Sequence, residues 1–369
     1  MEEKLLPEEI ELSEVVLSKT NHAFDLIRQE DCVAMKKRNN RRWKVQVAAI
    51  VGVCLLGVSS ISVVAAIHHY WGRGMNGNIQ ADVIQQQELT DNGIAEVYPE
   101  KEDYEALKVT QNGVTVAPHT VIVEERFAYM SFTVSGYSLD EGKEPGFENV
   151  SVDSGTTNLD MFGSMYDGIM SDEYGSPVYE DGSAIQFTED GEVISHYFDE
   201  NGDLEYIIKT FVSDEKDTIL GKTVKVKFEN LGTLYKTEFT SDKDGVWEFE
   251  MKLPNVSSAE YFDLNKTLDG TSFAVLDAEI SPISMKVNYT TSAKYEMNED
   301  EIGVPEVKGV ILKDGTCIPY MTDGGSVGYT DDTHAYNIFG YDRVIDVDEV
   351  QSLLILVKPG EEPVTVDIR

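Results

Sequence analysis

Residues 45–67 are twenty-three consecutive positions without a charge, VQVAAIVGVCLLGVSSISVVAAI, and six basic residues crowd the chain just before them. A helix of that length, rising 1.5 Å per residue, reaches about 34 Å and would cross a bilayer core of about 30 Å. A soluble core helix rarely needs so long an uncharged run, so the segment predicts one transmembrane helix. Lys36, Lys37, Arg38, Arg41, Arg42 and Lys44 precede it, and only Arg73 follows closely. The positive-inside rule then leaves the N-terminal side in the cytoplasm and the remainder outside the cell membrane. Trp43 on one flank, with Tyr70 and Trp71 on the other, are expected as anchors at the lipid interface. A cleaved signal peptide fits less well, because the preceding region and the apolar run are both too long and no A-x-A site follows. Ala48 and Gly52 form a small-xxx-small pair that would let two helices approach as a homodimer, the alternative being a lipid-facing helix that happens to contain small residues.

The net charge of −37 lies almost wholly beyond this span. Residues 1–44 carry nine acidic and nine basic side chains, whereas between Lys143 and Lys209 there are sixteen Asp and Glu and no Lys or Arg. Such a surface repels nucleic acid and excludes it as a partner of the outer part. It suits solubility at a cell surface, with loose binding of calcium or of a basic ligand as the sharper alternative. The three cysteines, Cys32, Cys54 and Cys317, fall one to each compartment, so no disulfide is expected within the outer part. A lone outer cysteine favours a bacterial plasma membrane, where the acceptor patterns at Asn149, Asn255, Asn265 and Asn288 would stay bare.

The inner 44 residues read as one amphipathic helix followed by the basic run. Ser13 is the expected N-cap, and Leu12, Val16, Ala23 and Ile27 fall near one face. A helix this short has no core of its own, so the stripe predicts a cytoplasmic partner, a seat on the membrane or a plain tether. Residues 68–100 are polar and glycine-bearing and read as a stalk, with a short helix around Ile79 to Leu89.

Beyond residue 100 the period becomes two. Val224, Val226 and Phe228 alternate with charged neighbours, and Trp247, Phe249 and Met251 alternate with Val246, Glu248 and Glu250. Turn signals recur at Asn112-Gly113, Asp190-Gly191, Asn201-Gly202, Asp244-Gly245, Asp269-Gly270 and Asp314-Gly315. The stretch from His196 to Tyr206 reads as a hairpin. The acidic region from Asp153 to Asp181 reads as an insertion with a short helix. The expected fold is mainly β: a short cytoplasmic helix, one transmembrane helix, then two antiparallel β-sandwich, immunoglobulin-like domains outside. The boundaries are 1–44, 45–67, 68–100, 101–258 and 259–369, with the second set of strands closing on Ser352 to Val357 and Val364 to Ile368.

No catalytic residue, metal ligand set or cofactor is expected. The histidines outside the membrane are scattered, and His68-His69 reads as interfacial flank. Asp199 to Asp203 opens like a calcium loop, but its sixth position is Leu204 and its twelfth Thr210. No P-loop pattern occurs in the sequence. Cys317 reads as a buried small side chain on a strand after a turn.

Three stretches resemble a bacterial family of single-pass membrane proteins that carry a domain of unknown function numbered 4179. The first is Leu12-Ser-Glu-Val-Val16 with Ala23-Phe-Asp-Leu-Ile27, the basic run and Trp43. The second is Gln111-Asn-Gly-Val-Thr-Val116 with Phe127-Ala-Tyr-Met-Ser-Phe132 and Gly136-Tyr137. The third joins Gly245-Val-Trp-Glu-Phe249, Ser281-Pro-Ile-Ser284 and Leu312-Lys-Asp-Gly-Thr316. The family is found mostly in Gram-positive bacteria, alongside extracytoplasmic-function sigma factors. The resemblance implies an anti-sigma factor or membrane sensor, its inner helix holding a sigma factor and its β domains meeting an unknown extracellular ligand. It supplies no catalytic residues. The competing expectation is a structural or adhesive surface protein whose inner segment only anchors.

Overall fold

The computed structural model describes residues 71–369, apart from 141, 157, 173, 215–216, 236–237, 293–302 and 359. The apolar run 45–67, the inner helix with Leu12, Val16, Ala23 and Ile27, and the flanking Trp43 and Tyr70 lie outside the described residues. Among those described, no helix is long and apolar enough to cross a membrane.

The chain enters through helices α1 (Arg73–Ile79) and α2 (Val83–Asp91), followed by strand β1 (Ala95–Val97) and a single-turn helix α3 (Tyr104–Leu107). Strands β2 (Val109–Gln111), β3 (Val114–Val123), β4 (Phe127–Ser135), β5 (Glu144–Asp153) and β6 (Leu159–Met165) come next. A loop region with short strands β7 (Ile169–Ser171) and β8 (Pro177–Tyr179) leads to β9 (Leu204–Val212), β10 (Thr223–Tyr235) and β11 (Glu238–Lys252). The C-terminal half holds β12 (Glu260–Thr267), β13 (Phe273–Ile280), β14 (Ser284–Thr291), β15 (Glu306–Leu312) and β16 (Cys317–Pro319). It ends with β17 (Thr322–Tyr329), β18 (His334–Tyr341), β19 (Val350–Leu356) and β20 (Val364–Asp367).

The protein is mainly β, and the strand pairs of its sheets are antiparallel. In the first half the sheet β1-β3-β4-β9-β6, with β2 on β3, faces the sheet β11-β10-β5. The alternation of β10 and β11 resolves as the sequence predicts: Val224, Val226, Phe228, Trp247, Phe249 and Met251 are buried between the sheets, while Val246, Glu248 and Glu250 point outward. Phe132, Phe147, Tyr206, Phe228, Trp247 and Phe249 form an aromatic network there, with ring centroids 4.8–6.1 Å apart. In the second half β12-β13-β14-β18-β17 faces β16-β15-β19-β20 over a separate apolar core. β19 and β20 pair as the closing hairpin.

Turn chemistry explains most of the connections. Asn112 and Gly113 both take positive φ, the geometry of the tight turn joining β2 and β3. Asp244-Gly245 departs from its expectation and lies inside β11, at the irregular pairing with β10. There Gly245 N–H donates to Asn230 Oδ1, and a Cβ on Gly245 would sit 2.8 Å from the Trp247 ring. The region from Asp153 to Asp181 forms β6, β7 and β8 instead of a helix. From His196 to Tyr206 the turn exists, since the Asp199 carboxylate accepts from Asn201 N–H and Asp203 N–H, but only β9 continues as a strand. Cys317 does start a strand after the Asp314-Gly315 turn, yet it is exposed, because β16 lies at the edge of its sheet.

The largest departure concerns residues 71–100, expected as a stalk. Residues 71–94 fold onto the outer face of the first sheet, and β1 joins its edge. β3, β4 and β9 are buried on both faces, so Phe127, Tyr129, Ile207 and Phe211 point away from the first core and need a cover. Trp71, Met75 and Ile79, four residues apart on one side of the α1 region, supply it. Trp71, expected at the lipid interface, is fully buried in this third cluster. The cluster also takes Ile283, Ile338 and Val344 from the second half, so residues 71–97 lie on the seam between the two β halves.

Candidate functional site

The seam is the place where the described chain concentrates buried polar groups. Residues 71–91 form a strap across it, and close packing dictates the glycines of this strap. A Cβ on Gly77 would fall 2.2 Å from Tyr166 Oη, and one on Gly74 would fall 2.5 Å from Ile207 Cδ1. Gly72 has φ +88°, which favours glycine, and a Cβ there would meet Glu205 Oε1 at 2.6 Å, His119 Nδ1 at 3.1 Å and Ser131 Oγ at 3.2 Å. The small residues that suggested a flexible stalk are thus those that let α1 lie flat on the sheet.

Under the strap, Glu205 of β9 is sealed from solvent. Its Oε2 accepts the N–H of Gly74 in the first turn of α1, whose N-cap, Gly72, provides no side-chain acceptor. Burial is the largest influence on this carboxyl, and pushes its pKa up to about 7. The N–H of Gly74, the Ser131 hydroxyl, the charge of Arg73 and the N–H of Met75 offset that in part. A few ångströms away the pairing of β3 with β4 shifts register between Pro118 and Val121. The Thr120 hydroxyl there donates to the Trp71 carbonyl at 2.7 Å, and His119 Nδ1 lies 2.9 Å from the same hydroxyl.

Arg73 ties the strap to the acidic loop region. Its Nε donates to Glu180 Oε2 at 2.7 Å, its Nη1 to the Tyr197 carbonyl at 2.9 Å and its Nη2 to the His196 carbonyl. Its guanidinium also stands 5.1 Å from the centre of the Tyr166 ring. Because residues 144–208 contain no Lys or Arg, this side chain brings a cation that the loop region cannot supply itself. Further along, Val344 N–H donates to the Ile79 carbonyl, and Asp82 with Gln85 forms a capping box that starts α2.

A second buried carboxylate marks the connection between the halves. Glu124 accepts the hydroxyls of Ser257 and Ser258 at 2.7 and 2.8 Å, so the linker before β12 is pinned to the β3–β4 turn. Burial raises the pKa of this group as well, against the lowering effect of both serines. Tyr129 Oη donates to the Tyr341 carbonyl at 2.9 Å, and Lys209 pairs with Asp323, also across the seam.

Of the residues selected from sequence, the structure thus describes Trp71, and places it in this seam. Sequence reasoning missed Glu205, Gly72, Gly77, Arg73 and Glu124. A signal did exist: FAYMSF at 127–132 is apolar on both faces of a strand, which requires a cover, and WGRGMNGNI at 71–79 spaces its large apolar residues four apart.

No protein-family model matches this chain. No curated protein matches it either. Among solved structures it is similar to one described as the crystal structure of the conserved domain protein from Bacillus anthracis. That match has 13% identity and a TM-score of 0.40, and covers 69% of this chain and 78% of the other.

Proposed function

We propose that this chain is a single-pass membrane signalling protein, similar in role to anti-sigma factors. Its cytoplasmic helix, with Leu12, Val16, Ala23 and Ile27, holds an extracytoplasmic-function sigma factor. Its outer immunoglobulin-like β-sandwiches respond to a ligand. The observation that supports this reading is the burial of the strap. Only residues 68, 69 and 70 separate the apolar run from Trp71, which allows at most about 14 Å of slack chain. A passive anchor does not require this packing. A chain whose first described residues are packed into the seam of the outer part would instead pass any repacking of that seam directly to the span.

On the inner side, four to six apolar side chains would bury about 400 Å². At about 25 cal/mol per Å² this is worth about 10 kcal/mol before association costs, which allows micromolar binding. Confinement of both partners to the membrane surface would strengthen it.

The test is capture of the intact protein from membranes, with Val16→Asp and Ile27→Asp introduced together. A sigma factor should accompany the wild type, and the doubly charged variant should lose it and raise transcription from the promoters it serves. Capture that is unchanged by the two aspartates would sink the reading. Transcription that does not respond to deletion of residues 5–33 would favour a structural or adhesive surface protein instead.

A further inference from the structure

The sheet beneath the strap is complete without it. β3, β4, β9 and β6 pair with one another, and the first aromatic core fills their opposite face. The strap is added to that finished surface by the apolar stripe of Trp71, Met75 and Ile79, by the bonds of Arg73, and by the Glu205 carboxylate under the first turn of α1. Lifting residues 71–91 would break none of the strand pairings and would open Glu205 to water.

We propose that residues 71–91 are a detachable latch on the seam, and that Glu205, sealed beneath it, makes release of the latch depend on the pH of the medium. The role of the latch in signalling rests on the function proposed above; the latch itself does not. The groups that face Glu205 come from every element packed around it. The strap brings Arg73 and the N–H groups of Gly74 and Met75, β3 brings His119, and β4 brings Ser131. Tyr166 follows β6, with Asp167 beside it and Glu180 beyond, the latter already paired with Arg73.

The direction follows from linkage. In the seated state burial holds the carboxyl at about 7, whereas a hydrated glutamate has an ordinary value of 4.5. The seated state therefore binds the proton more tightly. Its advantage is fully present below the lower value, declines as pH rises between the two, and stays at its minimum above the upper one. Between pH 5 and pH 8 the opening constant should rise on the order of 100-fold.

Hydrogen exchange read by mass spectrometry on the full-length protein in detergent tests this, with rates corrected for intrinsic pH dependence. Peptides covering residues 71–80 should lose protection on the order of 100-fold from pH 5 to pH 8, while peptides from β10 stay constant. Glu205→Gln should make strap protection independent of pH, and His119→Gln should leave the wild-type dependence in place. The proposal is overturned by a flat profile in the wild type, which needs no variant to fold, or by a strap that opens only together with β10. It is equally overturned if Glu205→Gln retains the pH dependence or His119→Gln removes it. A latch that behaves as proposed in a protein that captures no sigma factor would overturn the function and keep the latch; the converse result would do the opposite.

Discussion

The first β core and the strap seam bury comparable aromatic and aliphatic groups, yet they are held together on different terms. In the core most rings have two or more ring neighbours, as Phe228 has in Phe132, Phe147, Tyr206 and Phe249, and Trp247 Nε1–H finds the Val114 carbonyl at 3.2 Å. In the seam, a few features carry the fit: two glycines, Gly74 and Gly77, under one tyrosine, one carboxylate under one helix turn, one arginine into one loop region. Redundant packing makes an element inseparable from its fold, while single-point packing makes it removable. The two regions should therefore answer substitution differently.

The largest effect is expected in the core. Trp247→Ala removes a fully buried indole that packs edge-on against Phe147 in the first core, and should cost about 3–5 kcal/mol. The loss should appear as one cooperative shift in chemical or thermal unfolding that takes the strap and both sheets of the first half together. If the strap alone loosened, the contrast between the regions would be wrong.

Next comes Gly77→Ala. The new methyl has no room beside Tyr166, which is itself buried, and overpacking of this kind costs about 1–3 kcal/mol. Alanine recovers up to about 1 kcal/mol of helix propensity, so the net effect is smaller than that of Trp247→Ala. It should also be local, with faster exchange in peptides 71–80 and unchanged exchange in β10. Uniform destabilisation of both would show that the strap belongs to the same cooperative unit as the core.

The contrast also explains what could be read from the sequence. A half-buried strand alternates, and β10 and β11 announced their faces because every second residue is charged or exposed. β4 and β9 are covered on both sides, so they offer no alternation, and Glu205 in LEYII looks like the wet side of an ordinary edge. The glycines at 72, 74 and 77 carry the same ambiguity. In isolation they read as slack, and only a partner surface shows them to be places where no side chain fits. Cys317 erred in the other direction, since its apolar neighbours suggested burial while its place on an edge strand left it exposed. Strand identity is local information. Which face is covered, and by what, depends on residues 49 to 131 positions away.

The smallest effect should come from Tyr166→Phe, and it separates shape from polarity in the seam. The ring of Tyr166 fills the space that Gly74 and Gly77 leave, so the ring must stay. Its hydroxyl is buried and has no hydrogen-bond partner among the described residues. A buried hydroxyl in that condition contributes a desolvation penalty without a compensating bond, and its removal is close to neutral or stabilising, by up to about 1 kcal/mol. The variant should match or exceed the wild type in strap protection and raise the unfolding midpoint by no more than about 2–4 °C, as expected for a change of up to about 1 kcal/mol. A loss of more than about 1 kcal/mol would mean that the hydroxyl is bonded in solution. The seam would then be tied by polar contacts as the core is tied by rings, and the distinction drawn between them would fail at its most sensitive point.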